Sequence, residues 1–154
     1  MTLIRKSESK FAGVDAGLVS VVREAAQTLP FDIQALEGLR STMRQAELVA
    51  AHASQTMDSA HLTGEALDLA PVIGGEVRWD WPPFYVIADH MAAAGKRLGV
   101  KLIWGGCWDR EVTEWGAESA ESISAGYVTR RKAQGRKAFL DGPHWQIFER
   151  KPRV

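Results

Sequence analysis

From Trp81 to Gly106 the sequence reads WPPFYVIADHMAAAGKRLGVKLIWGG, and this stretch constrains the fold more than any other. Pro82 and Pro83 fit a first helical turn, where a missing N–H has no intrahelical partner to lose. Phe84, Ile87, Ala88, Met91 and Leu98 then fall on one stripe, and Gly99 supplies the stop. KLIWGG follows as a buried strand ended by two glycines. The chain therefore carries a long amphipathic helix that runs almost directly into a strand.

The rest alternates in the same manner. Residues 15–29 (DAGLVSVVREAAQTL) predict a helix, with Asp15 as N-cap and Pro30 just beyond the end. FDIQALEG alternates Phe31, Ile33 and Ala35 with polar neighbours and predicts a half-buried strand. Ser41 or Thr42 caps a second helix, TMRQAELVAAHA. Residues 54–80 read as loops with short strands. Ala120, Ile123, Tyr127 and Val128 predict a helix over 119–134, ending in the cationic group Arg130, Arg131, Lys132, Arg136 and Lys137. FLDGPHWQIFER reads as a closing strand. No repeat or linker divides the chain, so 1–154 is read as a single domain.

Charge and cysteine content narrow the function classes. The 19 acidic and 19 basic residues cancel, which removes the bulk basic footprint of a nucleic-acid-binding protein. Cys107 is the one cysteine, so no internal disulfide forms. A chain of this length buries about 68–70% of its unfolded surface and needs no metal merely to fold. Any metal site would serve chemistry. No apolar run reaches membrane-spanning or signal-peptide length, so stable membrane association is not expected and a cytoplasmic start is.

Two of the four histidines sit in crowded polar settings. SAHLTGEALDL (59–69) places His61 and Asp68 on either side of Gly64, where the backbone could turn and bring imidazole and carboxylate together. DGPHW (141–145) places Asp141 three residues before His144 across a Gly-Pro kink. A catalytic zinc takes three protein ligands and leaves a position for water. His61, Asp68 and His144 supply such a set, with Asp141 as a carboxylate free to accept a proton. On spacing alone, SAHLTGEALDL also reads as a helix with a surface ion pair, and DGPHW as a turn whose aspartate caps an N–H.

Together the two segments resemble the bipartite signature of the zinc D-alanyl-D-alanine carboxypeptidase and L-alanyl-D-glutamate endopeptidase family. The matching positions are Ser59, His61, Gly64, Ala66 and Asp68, then Asp141 and His144. Gly38-Leu39-Arg40-Ser41 with Gln45 resembles that family's Gly-x-Arg-Ser/Thr…Gln segment. Trp104-Gly105-Gly106-Cys107-Trp108 resembles the Trp-Gly-Gly-x-Trp segment of the phage endolysin branch, with Cys107 where an aspartate is common. The resemblance spans residues 31–148.

The resemblance implies an α+β fold like that of Hedgehog signalling domains, with a small antiparallel sheet carrying the site and helices packed around it. It implies one Zn2+ per chain on His61, Asp68 and His144, Asp141 as general base, and Arg40 as the electrophilic partner holding an oxyanion or carboxylate in its planar fork. Ser59 and Glu65 are expected to orient a ligand imidazole or the substrate, and Trp145 to shield the site and contact substrate. The implied activity is hydrolysis of the peptidoglycan stem peptide, as a monomeric phage endolysin cutting the L-alanyl-D-glutamate bond. Such an enzyme would accumulate in the host cytoplasm and reach the periplasm and cell wall at lysis. The rivals are a D,D-carboxypeptidase or dipeptidase with the same centre, and a non-catalytic zinc module, against which the retained Asp141 argues.

Residues 109–138, with the fourth helix and the basic run, read as an insertion bordering the cleft, either shaping substrate choice or carrying positive charge toward the anionic envelope, with a solvated helix face as the weightier alternative. His52 and His90 are expected on helices away from any ligand set. Cys107 has no assigned task. The six tryptophans are assigned to core and cleft wall.

Overall fold

A computed structural model describes residues 5–54 and 56–150. Four α-helices surround one antiparallel sheet: α1 (Ala16–Ala26), α2 (Thr42–Ala50), α3 (Trp81–Leu98) and α4 (Ala120–Ala133). The strands are β1 (Asp32–Glu37), β2 (Ala66–Ile73), β3 (Glu76–Val77), β4 (Leu102–Trp104) and β5 (His144–Ile147). Their order is β1-β2-β5-β4, with β3 folded back on β2. This is the α+β architecture expected from the sequence.

Local chemistry explains the helix limits. Asp15 accepts the N–H of Leu18, Ser41 that of Arg44 and Ser119 that of Ser122, so three helices start on side-chain caps. Prolines open α3, and Gly99 closes it in the left-handed region at φ 67°. Leu98 and Val128, assigned to apolar stripes, are instead exposed. Each lies at the edge of a stripe whose other members already face the core.

One face of the sheet carries the core. Leu18, Val21 and Val22 of α1, Ile87 and Met91 of α3, and Ile123 of α4 pack with Ile33, Leu67, Leu69, Leu102, Trp104 and Trp145 of the strands. The principal correction concerns residues 54–80. Their second half forms β2, the longest strand, paired with β1, β3 and β5. Neighbours on both sides and burial of both faces remove the apolar–polar alternation by which an exposed strand is read.

Among the described residues, no helix is long and apolar enough to cross a membrane.

Candidate metal centre and catalytic cleft

The opposite face of the sheet holds the polar residues. In β2 and β5 the pairs Asp68↔His144 and Ala66↔Gln146 face one another, while Leu67↔Trp145 points into the core. Alternation along β5 thus sends His144 and Gln146 to one face and Trp145 to the other. Trp145 is fully buried and stacked on Trp104, with ring centroids 6.0 Å apart. The expectation that it shields the site and contacts substrate is corrected: its side chain turns into the core, and a tryptophan far earlier in the chain lies against the site instead. Trp108 stacks on the His144 imidazole at 5.1 Å and lines the cleft.

His61 arrives from a 3-10 turn, Ala60–Thr63, directly before β2. Ser59 caps that turn by accepting the His61 N–H at 3.2 Å. Gly64 ends it at φ 74°, and a Cβ there would lie 1.9 Å from the carbonyl oxygen of Gly13. Only glycine satisfies both demands. The turn and strand replace the helix that the spacing of SAHLTGEALDL also allowed.

The ligand-capable atoms of His61, Asp68 and His144 all lie within 4.8 Å of one another. His61 Nδ1 donates to the Gly38 carbonyl at 2.8 Å, and Nε2 faces Asp68 Oδ1 at 3.2 Å. His144 Nε2 donates to Gln146 Oε1 at 2.8 Å, and Nδ1 faces Asp68 Oδ1 at 3.4 Å. Each imidazole therefore spends one N–H on an outer acceptor, which directs its other nitrogen to a shared point. Metal-binding histidines are held in this way. A buried His–Asp–His group that could hold a metal ion is thus present, and its donor set fits a divalent ion such as zinc.

Electrostatics follow from this crowding. Burial pushes the Asp68 carboxyl up, but hydrogen bonds from His144 and His61 overcome it and hold Asp68 far below the usual carboxylate range. Burial pulls His144 down, yet Asp68 outweighs it and raises the imidazole above its ordinary value. Asp141 moves the other way. Burial first, and the charge of Asp68 second, raise its carboxyl above the usual range.

Asp141 is fixed by backbone pairing with the glycine turn after β4. Its N–H donates to Gly105 O at 2.9 Å, and Gly105 N–H donates to His144 O at 2.8 Å. A Cβ on Gly105 would lie 2.0 Å from the Asp141 carbonyl oxygen. The glycine thus ties Asp141 and His144 to one turn.

Arg40 is not a surface side chain: 8% of it is exposed. Nε and Nη2 each donate at 2.7 Å to the Glu37 carboxylate, and Nη1 donates at 2.6 Å to Gln45. Of five guanidinium N–H groups, two remain for a ligand. A bulge makes this arrangement. The register slips between Ala35 and Glu37, so that Glu37 lies opposite Asp68 and faces the cleft.

These groups line a cavity of about 650 Å³ containing Arg40, Ser59, His61, Asp68, Asp141 and His144. Sequence reasoning missed Glu37, Gln146 and Arg150 among its walls. Gln146 was open to the rule that residues two apart share a strand face, whereas nothing in the sequence marks the bulge that turns Glu37. Glu65 is buried, accepts the Thr63 hydroxyl and lies 3.8 Å from Arg150, which places it beside the cleft wall.

The remaining candidates lie elsewhere. His52 is exposed in the turn after α2, and His90 on α3 bonds Thr28 at 2.7 Å. Burial pushes the Cys107 thiol up to about 11, which leaves it protonated at neutral pH. Within 109–138, Arg130 of the basic run is bound to Asp109 through Nε at 2.8 Å and Nη2 at 2.7 Å.

The sequence profile of the phage L-alanyl-D-glutamate peptidases matches residues 1–147. The chain belongs to this family. A curated member, the L-alanyl-D-glutamate peptidase of Escherichia phage T5, is 35% identical over 109 residues, covering 68% of this chain and 80% of the relative. The crystal structure of the Serratia marcescens L-Ala D-Glu endopeptidase ChiX aligns with a TM-score of 0.69 and 32% identity, over 94% of this chain and 89% of that one. For this phage L-alanyl-D-glutamate peptidase family member, the profile match spans both signature segments, the Arg40 region and the glycine turn.

Proposed function

We propose that this protein is a zinc-dependent phage endolysin that hydrolyses the bond between L-alanine and D-glutamate in the peptidoglycan stem peptide. The observation that carries the proposal is the convergence of His61 Nε2, Asp68 Oδ1 and His144 Nδ1 beside the half-buried carboxyl of Asp141. His61, Asp68 and His144 would hold the zinc. When bound, it supplies Lewis-acid polarisation of the scissile carbonyl and acidifies a water.

The protein's own side chains do the rest. Asp141 accepts the proton of the attacking water and delivers it to the departing amine of D-glutamate. A carboxyl raised by burial holds that proton better than a solvated one, which suits the exchange. The two uncommitted N–H groups of Arg40 receive the developing oxyanion or a substrate carboxylate, and Glu37 and Gln45 keep the guanidinium from swinging away. Trp108 over His144 excludes water from one side of the imidazole.

Digestion of purified muropeptides, followed by mass spectrometry, tests the proposal. Glycan bearing only L-alanine, together with peptides beginning at D-glutamate, is the expected outcome. Loss of terminal D-alanine alone would instead identify a D,D-carboxypeptidase, and no cleavage with metal bound would identify a binding module.

A further inference from the structure

Five of the six tryptophans are wholly or partly buried, but Trp79 is 63% exposed. That departs from the core and cleft-wall assignment. Tryptophan is highly buried on average, so an open indole beside other open apolar side chains calls for an occupant. Trp79 stacks on Phe84 at 6.4 Å with the rings 28° apart, and the flanking Arg78 and Asp80 pair at 2.8 Å and hold the loop. Trp79 and Phe84, with Trp81, Leu140 and Pro143, line a second cavity of about 200 Å³.

This groove adjoins the cleft, since Asp141 lines both cavities. The two differ in character. The large cavity holds the cations, Arg40 and Arg150, among carboxylates that include Glu37, Asp58 and Asp68, whereas the small one has no cation and, apart from Asp141 and Gly142, is walled by aromatic and aliphatic side chains. A peptidoglycan stem has the same polarity. Its carboxylates lie from D-glutamate onward, and on the other side of the cut L-alanine is joined through a lactyl group to an N-acetylated sugar. One extended residue spans about 3.3–3.6 Å, so alanine plus lactyl places the sugar roughly 7 Å from the scissile carbonyl. With the carboxylate-bearing side toward the arginines, the sugar falls on the Trp79 side of Asp141.

We propose that the groove formed by Trp79, Trp81, Phe84 and Leu140 is a carbohydrate subsite that binds the N-acetylmuramyl residue on the acyl side of the cut bond. The open indole face packs on the C–H face of the pyranose, as an amphipathic aromatic packs on any flat apolar surface. The subsite rests on the endopeptidase reading and explains how that enzyme would distinguish glycan-linked stems from free peptides.

The test titrates the zinc-loaded full chain with N-acetylmuramyl-L-alanine and, separately, with N-acetyl-L-alanine, following the tryptophan indole N–H signals. The sugar-bearing compound is expected to bind about ten-fold more tightly. Trp79→Ala should bring that preference close to one, and Trp79→Phe should retain part of it. Equal binding of the two compounds to the wild type, or equal weakening of both by Trp79→Ala, overturns the subsite. Because neither compound contains the scissile bond, the outcome is independent of hydrolysis. Sugar preference without muropeptide cleavage would remove the endopeptidase reading alone, and cleavage without sugar preference would remove the subsite alone.

Discussion

In the proposed mechanism Asp141 is the proton acceptor, and the environment of its carboxyl sets two opposed effects of the same substitution. As a base it should be indispensable: Asp141→Asn is expected to keep about one zinc per chain and lose at least about 100-fold in hydrolysis, within the usual range for a general base. Stability should move the other way. Its folded-state pKa is raised, so the ionised carboxyl penalises the fold at pH values above that raised pKa, and the penalty vanishes below the ordinary value of 3.8. Melting of the metal-free protein should therefore show Asp141→Asn more stable than the wild type at pH 7 and equal to it at pH 3. Asp68 and His144 define a further window. The depressed carboxyl of Asp68 contributes stability above about 3.8 that is lost as pH falls, whereas the raised imidazole of His144 contributes stability below about 6.5 that is lost as pH rises. Metal-free protein should melt highest between these two values. A melting temperature that climbs steadily through pH 8 would contradict the pairing. Activity of the zinc-loaded enzyme, which needs neutral imidazoles, should fall below about pH 6.

At the scale of elements, the site is a product of strand register. Opposed pairing puts His144 across from Asp68 and Gln146 across from Ala66, so Gln146 can hold the outer nitrogen of His144. Gln146→Ala should weaken zinc binding about 10–100-fold without unfolding the chain, as measured by competition with a chelating dye. Unchanged affinity would show that the amide does not orient the imidazole. Gly105→Ala should push the Asp141 backbone away and lower hydrolysis while zinc content stays near one. The sequence disclosed these elements unevenly. Capping residues and the proline-opened stripe of α3 are local signals, and so were legible. The role of β2 was not, because burial between β1 and β5 erases its alternation. Gly64 signalled that His61 and Asp68 could converge, but the same spacing allowed a helix and the resemblance decided between them; the bulge at Glu37 has no local signature. Trp145 was misplaced for a simpler reason: residues adjacent in a strand send their side chains to opposite faces, so the sequence neighbour of His144 turns into the core.

For the whole molecule, the His61–Asp68–His144 group brings a turn before β2, the middle of the sheet and the late strand β5 to one point. A zinc ion held there should stabilise the native state, by about 2.7 kcal/mol when free metal is 100 times its dissociation constant. Chelation should accordingly lower the melting temperature, and His61→Ala, which removes a ligand, should melt at the same temperature with or without added zinc. Core packing is independent of this, because the apolar cluster occupies the other face of the sheet. The metal-free chain is therefore expected to stay folded and regain activity on reconstitution. The most direct test of the account titrates chelator-treated protein with zinc while following cleavage of a glycan-linked L-alanyl-D-glutamate stem. Activity that rises from near zero and saturates at one zinc per chain is the predicted result; full cleavage by the protein stripped of metal would contradict it.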